Sequence, residues 1–175
     1  MRIIGLAGWS GSGKTTLLTK VLPRLIARGI RVSTLKHAHH NFDVDRPGKD
    51  SFEHRSAGAT EVLVVSGSRW ALMHELRGAP EPVLPELLRK LADVDLILVE
   101  GFKRETFPKL EIHRAANNKP LLQGEDEWIV AIASDVPLPQ AGVPVIDLND
   151  IEGIADLLLA RAIAVGEIAG GVGAA

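Results

Sequence analysis

Gly8-Trp9-Ser10-Gly11-Ser12-Gly13-Lys14-Thr15 decides the fold. The stretch matches G-x-x-x-x-G-K-[ST] in full. It follows an apolar run from Ile3 to Ala7 and precedes a helix-like run from Thr16 to Arg28. Strand, glycine loop and helix in that order form a phosphate cradle. Gly8, Gly11 and Gly13 let the backbone curl, with Ser10 and Ser12 between them, so that successive N–H groups face phosphate oxygens. Lys14 adds a point charge at the β/γ-phosphates, and Thr15 offers its hydroxyl to Mg²⁺. The helix that begins here, with Thr16 in its first turn, aims its positive dipole end at the same anion. A nucleoside triphosphate site follows. Its use does not.

Bulk properties narrow the class. A chain of 175 residues is long enough for one domain with a buried core. Apolar content of 46% and charged content of 24% are ordinary for a water-exposed globular fold. A formal net charge of −2 gives no reason to expect nucleic-acid or anionic-membrane binding. Cysteine is absent, which excludes a disulfide framework and thiolate metal sites. The N-terminus runs directly into the first strand, so no signal peptide is expected. No apolar stretch reaches the ~20 residues of a membrane span, and a cytoplasmic protein is the expectation.

Periodicity extends the reading along the chain. Leu17, Leu18, Val21, Leu22, Leu25 and Ile26 give the first helix an apolar stripe, and Gly29 is a natural stop. Pro23 lies inside that helix and predicts a kink or a late start of regular bonding. Ile30–Leu35 reads as a second strand. Asp50–Gly58 reads as a short helix capped by Asp50 or Ser51. Glu61–Val65 and Arg69–His74 flank Ser66-Gly67-Ser68, a hairpin signal. Further expectations are a helix from Pro82 or Leu84 to Leu91 and strands at Asp95–Val99, Leu110–His113, Trp128–Ala133 and Val143–Ile146. A closing helix over Ile151–Ile163 carries Asp150 as its cap. Trp70 and Trp128 read as packing residues. The alternation predicts an α/β fold of three layers, a P-loop NTPase fold whose mainly parallel sheet carries helices on both faces, plus an antiparallel β-hairpin extension. The expected organisation is one nucleotide-binding domain over residues 1–165, with the hairpin near 60–75 and a flexible tail at 166–175.

Three further segments carry chemistry. Leu96-Ile97-Leu98-Val99-Glu100-Gly101 is an apolar strand ending in an acid. Nucleotide sites in open α/β sheets lie beyond the carboxyl ends of the strands, so Glu100 is expected to hold Mg²⁺ directly or through water. Gly101 suits a turn that approaches the phosphates closely. Lys36-His37-Ala38-His39-His40-Asn41-Phe42-Asp43-Val44-Asp45 leaves three readings open: a transition-metal site, a switch-like segment facing the γ-phosphate and Mg²⁺, or a solvated loop. Its place after the second strand favours the switch, with Asp45 holding a magnesium-bound water or orienting the attacking one. Asp135 follows a late strand. It reads either as a guanine reader, accepting N1–H and the 2-amino group, or as a turn-forming Asp before Pro137.

In combination, GWSGSGKTTL, TLKHAHHNFDVDRPGKDSFEHRSAGA and LILVEGFK resemble the molybdopterin-guanine dinucleotide biosynthesis protein B (MobB) family, over residues 3 to 113. The resemblance implies a small GTP-binding protein of the SIMIBI type. It implies a homodimer with an extended β-hairpin, acting with the guanylyltransferase MobA, which joins a GMP moiety to molybdenum cofactor. Weak Mg²⁺-dependent GTP hydrolysis is implied as well. So are molybdopterin as a bound substrate and molybdenum-cofactor-carrying proteins as further partners. By position, Gly8, Gly11, Gly13, Lys14, Thr15 and Thr16 would bind phosphate. Asp45 and Glu100 fall on the family's acidic motif positions, and His37, His39 and His40 on its histidine motif. Two other classes share the strand, loop and helix start: a small-molecule or nucleotide kinase, and a nucleotide-gated binding module with incidental hydrolysis. Arg69, Arg77, Arg89 and Arg104 are scattered and form no evident kinase lid.

Overall fold

The computed structural model describes residues 1–38, 42–102 and 104–168. The elements in chain order are β1 (Arg2–Ala7), α1 (Lys14–Ala27), β2 (Val32–Lys36), α2 (Asp50–Ser56), β3 (Glu61–Val65), β4 (Trp70–His74), α3 (Leu84–Leu88), β5 (Leu96–Glu100), β6 (Lys109–His113), β7 (Ile129–Ser134), β8 (Val145–Asp147), α4 (Ile151–Arg161) and β9 (Ile163–Ala164). They divide between two compact units, 1–37 with 84–175, and 38–83.

The larger unit is an α/β sandwich around one sheet of order β2-β5-β1-β6-β7-β8. Its six strands pair in parallel, and the short β9 adds antiparallel to the start of β1 through Arg2↔Ala164 and Ile3↔Ile163. The central strands β1, β5 and β7 are buried on both faces, so each reads as a continuous apolar run, whereas the edge strands β2 and β8 are only partly buried. Ile4, Leu6, Leu98 and Leu110 face one layer, against Leu17, Val21 and Leu25 of α1 and Ile154 and Leu158 of α4. Ile3, Ile97 and Val99 face the other, against Leu84 and Leu88 of α3, Phe107, Val165 and Ile168. Each such fully buried Leu or Ile contributes ~1.5–3 kcal/mol relative to exposure. Val165 and Ile168 are buried, so packed structure runs past the expected start of the tail at residue 166. Residues 169–175 lie outside the described residues.

Local chemistry explains the helix ends. Helix α1 stops where Gly29, at φ +79°, donates to the Ile26 carbonyl (2.9 Å) and Ile30 donates to the Leu25 carbonyl (3.1 Å). This pair of bonds is a Schellman closure. Asp150 caps α4 by accepting the Gly153 N–H at 2.9 Å. The helix at α2 differs from expectation: its N-cap is Lys49 with no side-chain cap, and Asp50 and Glu53 lie within the first turn. Acids there complement the helix dipole instead of capping it. Helix α1 runs unbroken through the exposed Pro23, where the carbonyl freed by the missing N–H can reach water.

The smaller unit contains α2 and the hairpin of β3 and β4, in the register Leu63↔Leu72 and Val65↔Trp70. A single arginine organises its base. Arg55 donates to Glu75 (2.9 Å) and to Asp43 (2.8 Å), and its Nε stands 3.6 Å from Asp45 Oδ2. The two flanking carboxylates raise the guanidinium's pKa, Glu75 contributing most. Arg77 donates to the carbonyls of Arg55 (2.6 Å) and Ala59 (3.0 Å). Trp70, expected to pack, is 67% exposed.

Candidate functional site

The chain order of the sheet reverses at β1. The path from β1 to β2 goes one way, with β5 between them, whereas β6, β7 and β8 extend the other way. Such a switch point leaves a crevice at the carboxyl ends of the strands, where open α/β sheets bind ligands. The loop Gly8–Thr15 leaves β1 at that edge.

The loop's geometry is that of an anion cradle. Gly8, Gly11 and Gly13 take positive φ values of 143°, 80° and 93°. Gly8 admits no side chain: an added Cβ would lie 2.6 Å from Ser12 Oγ and 2.7 Å from the Ile112 carbonyl. The first helical bond runs from the Leu17 N–H to the Gly13 carbonyl (2.8 Å). That bond leaves the N–H groups of Thr15 and Thr16 in the first turn, the part of a helix whose amides suit an anion. Lys14 Nζ curls back to the carbonyls of Gly8 (2.8 Å) and Trp9 (3.0 Å). Among the described residues Ser12 Oγ is buried with no hydrogen-bond partner. A buried hydroxyl in that state fits a loop built around a polar ligand.

Glu100 ends β5 and pairs in register with Leu6 of β1, two residues before Gly8. Its side chain is only 14% exposed and stands 4.0 Å from Lys36 Nζ. Gly101 follows at φ +94°, and a Cβ there would lie 2.6 Å from His37 Cβ. The turn continues through Phe102 at φ +51°, whose ring stands 4.9 Å from that of His37. His37 is thus packed beside the acid-bearing turn. His39 and His40, its partners in the sequence motif, lie outside the described residues. Among the described residues no group of three or more His, Asp or Glu is placed to hold a metal.

Asp135 leaves β7 at the same edge. Its Oδ1 accepts the Ala115 N–H at 2.9 Å, and its Oδ2 lies 3.9 Å from Arg114 Nη1. Asp45 belongs to the smaller unit, where its side chain is 9% exposed and accepts from Ser51 Oγ (3.1 Å) and the Arg46 N–H (2.9 Å). The structure therefore brings the phosphate loop, Glu100, Gly101, His37 and Asp135 to one sheet edge, and holds Asp45 in a network of its own.

Several neighbours of the loop escaped the sequence reading. Arg114 Nε donates to the Ser12 carbonyl at 3.2 Å. Asn117 Nδ2 donates to the Ser10 carbonyl at 3.4 Å. Trp9 Nε1 donates to the Pro120 carbonyl at 2.8 Å, with Lys119 Nζ 5.7 Å from its ring. All come from the segment after β6. That segment is tied down by Glu111, 1% exposed on β6, which accepts the amides of Leu122 (2.8 Å) and Gln123 (2.9 Å). Burial pushes the Glu111 carboxyl above the usual range, against the pull of those two amides. Lys109, on the same strand, donates to Asp126 at 2.8 Å. Charged side chains on a buried strand, at the Lys109 and Glu111 positions, were the available signal.

A glycine loop that presents helix-terminal amides at the switch point of a parallel sheet defines a P-loop α/β protein. The family model of molybdopterin guanine dinucleotide synthesis protein B, MobB, matches residues 3–135, and the chain belongs to that family. It is 48% identical to the molybdopterin-guanine dinucleotide biosynthesis adapter protein of Escherichia coli (strain K12), over 90% of this chain and 91% of the relative. It is 46% identical to the adapter protein of the same description from Haemophilus influenzae, over 89% and 86% of the two chains. A crystal structure described as molybdopterin-guanine biosynthesis protein B superposes with a TM-score of 0.72 at 27% identity, covering 90% of this chain and 98% of that one. No helix among the described residues is long and apolar enough to cross a membrane.

Proposed function

We propose that this chain is a GTP-binding, weakly GTP-hydrolysing adapter in molybdopterin guanine dinucleotide synthesis that assists the guanylyltransferase of that pathway in the cytoplasm. The complete phosphate loop at the sheet's switch point carries the nucleotide part of the reading. The adapter description of relatives up to 48% identical supports the pathway part. On binding, Lys14 would exchange the Gly8 and Trp9 carbonyls for the β/γ-phosphates, and the amides of Lys14 to Thr16 would cradle them. Thr15 and Glu100 suit Mg²⁺, which takes few protein oxygens alongside phosphate oxygens, and the ion would offset charge on the β- and γ-phosphates. With Glu100 at the metal end, the edge of β7 and β8 on the opposite side of β1 would hold the base.

Titration calorimetry with GTP and ATP, with and without molybdopterin, tests this. Binding of GTP in preference to ATP, lost by at least ~100-fold in Lys14→Ala, is the expected outcome. Unchanged GTP affinity in that variant would sink the assignment. A second reading, a nucleotide-gated binding module, draws on the adapter description of the relatives. Under it, a GTP analogue blocked only at the β–γ bond, whose α–β bond can still be cleaved to donate GMP, should support GMP transfer by the guanylyltransferase as well as GTP does.

A further inference from the structure

We propose that Arg114 is a nucleotide-contacting residue, held in place by Asp135, whose guanidinium grips a phosphate that GDP and GTP share. The proposal rests on the nucleotide-binding reading and extends it to a residue outside the glycine loop.

Strand order puts the residue there. Strand β6 runs parallel beside β1, with Ala7 level with Glu111, so the chain leaving β6 emerges alongside the chain leaving β1. Three residues past Glu111, Arg114 lies against the loop. Its Nε donates to the Ser12 carbonyl (3.2 Å) and stands 3.0 Å from where a Cβ on Gly13 would sit. Gly13 immediately precedes Lys14, the first helical residue, so the guanidinium flanks the amides that form the cradle. Its Nη1 lies 3.9 Å from Asp135 Oδ2, while Nη2 sits on the Gly13 side, 3.4 Å from the same Cβ position. Thr16, Lys20, Arg114 and Asn149 line one depression beside the loop. It opens on the side of β6 to β8, away from Glu100, where the phosphates nearer the nucleoside would lie.

The chemistry suits a phosphate. The side chain is 38% exposed, so the guanidinium is neither sealed in the core nor free in water. Nε is bonded to the Ser12 carbonyl and Nη1 lies in ion-pair range of Asp135, which orients the guanidinium with Nη2 on the cradle side. With Nε turned to Ser12, the phosphate contact falls to the positive charge and Nη2, a single charged contact that a lysine ammonium can also make. Charge-assisted contacts of this kind are short and strong. Asp135 acts through Arg114 in this scheme and is a positioning residue. The competing role is mechanical: Arg114 bracing the loop by its bond to the Ser12 carbonyl alone.

GTP and GDP binding, measured by calorimetry on the full chain, separates the two roles. Arg114→Ala is expected to weaken both nucleotides by about tenfold and to a similar extent. Arg114→Lys keeps the charge but lacks the Nε donor to Ser12, and is expected to recover affinity to within about threefold of the unmodified protein. Asp135→Asn should give an intermediate loss for both. Arg114→Gln, polar, uncharged and shorter than arginine, should bind as weakly as the alanine variant and serves if the latter fails to fold. Unaltered binding by Arg114→Ala or Arg114→Gln overturns the proposal. So does a loss confined to GTP, or an Arg114→Lys variant as weak as Arg114→Ala, which is the signature of a brace. If the unmodified protein binds neither nucleotide, the underlying reading falls and takes this one with it.

Discussion

At the residue scale, Gly101 shows how a site sets backbone requirements. It holds φ +94° with His37 Cβ only 2.6 Å from where its own Cβ would lie, and the His37 carbonyl at 3.2 Å. A methyl group must either displace β2 from β5 or distort the turn that carries Glu100. Gly101→Ala is therefore expected to cost about 2–4 kcal/mol, from left-handed strain and overpacking together, in urea unfolding. A loss below about 1 kcal/mol would show that the turn relaxes freely. Glu111 makes a different demand. Its carboxyl is buried and its pKa raised, so the folded state holds its proton more tightly than the unfolded chain does. Such a group contributes most at low pH, and its contribution falls as pH rises through the raised value. The stability advantage of the unmodified protein over Glu111→Ala should accordingly be larger at pH 5 than at pH 8. Denaturant midpoints at the two pH values would show it, and an advantage that grows with pH would contradict the assignment.

At the element scale, α1 carries a cost that its position makes tolerable. Pro23 removes one helical bond and is exposed, whereas Leu17, Val21 and Leu25 on the buried face hold the helix to the sheet. Tertiary burial outweighs the local propensity penalty. Pro23→Ala should therefore stabilise the chain by ~1–3 kcal/mol in chemical denaturation, with nucleotide affinity unchanged. A destabilised variant would mean that proline's stiffening of the unfolded chain matters more than the missing bond. The other end of α1 is joined to α4 by Arg28, which donates to Glu152 (2.5 Å) and Asp156 (2.6 Å). These exposed pairs set register more than stability.

At the scale of the whole molecule, the hairpin carries apolar surface that nothing in its own strands covers. Leu63 and Leu72 stand opposite each other, as do Val65 and Trp70, and the four are 60%, 46%, 68% and 67% exposed. A two-stranded hairpin is marginal alone, and an apolar face of this kind is a pairing surface. We propose that a homodimer would pair through this face. Trp70→Glu combined with Leu63→Glu should shift sedimentation to the monomer while leaving the larger unit folded. A dimer that survives both charges would place the interface elsewhere.

Much was legible from local signals. The glycine loop, the Gly29 stop, the Asp150 cap and the hairpin around Gly67 depend on a few consecutive residues whose backbone and capping chemistry is self-contained. The central strands β1, β5 and β7 were legible as apolar runs because burial on both faces leaves little place for polar side chains. Their boundaries shifted by a residue or two, as at β5 and β7, because strand ends are set by partners distant in sequence. Trp70 was misread because an aromatic residue on a strand looks the same whether its face is covered within the chain or not.

By itself, then, the sequence determined that a complete glycine loop sits between a strand and a helix, and that an acid ends a buried strand. Only the tertiary structure decided what surrounds that cradle. Arg114 and Asp135 are 21 positions apart, and more than 100 positions separate Arg114 from Ser12. Parallel pairing of β1 with β6, and of β6 with β7, brings them to one edge. That pairing is non-local, carried by backbone hydrogen bonds and shared burial, and no short stretch of residues encodes it.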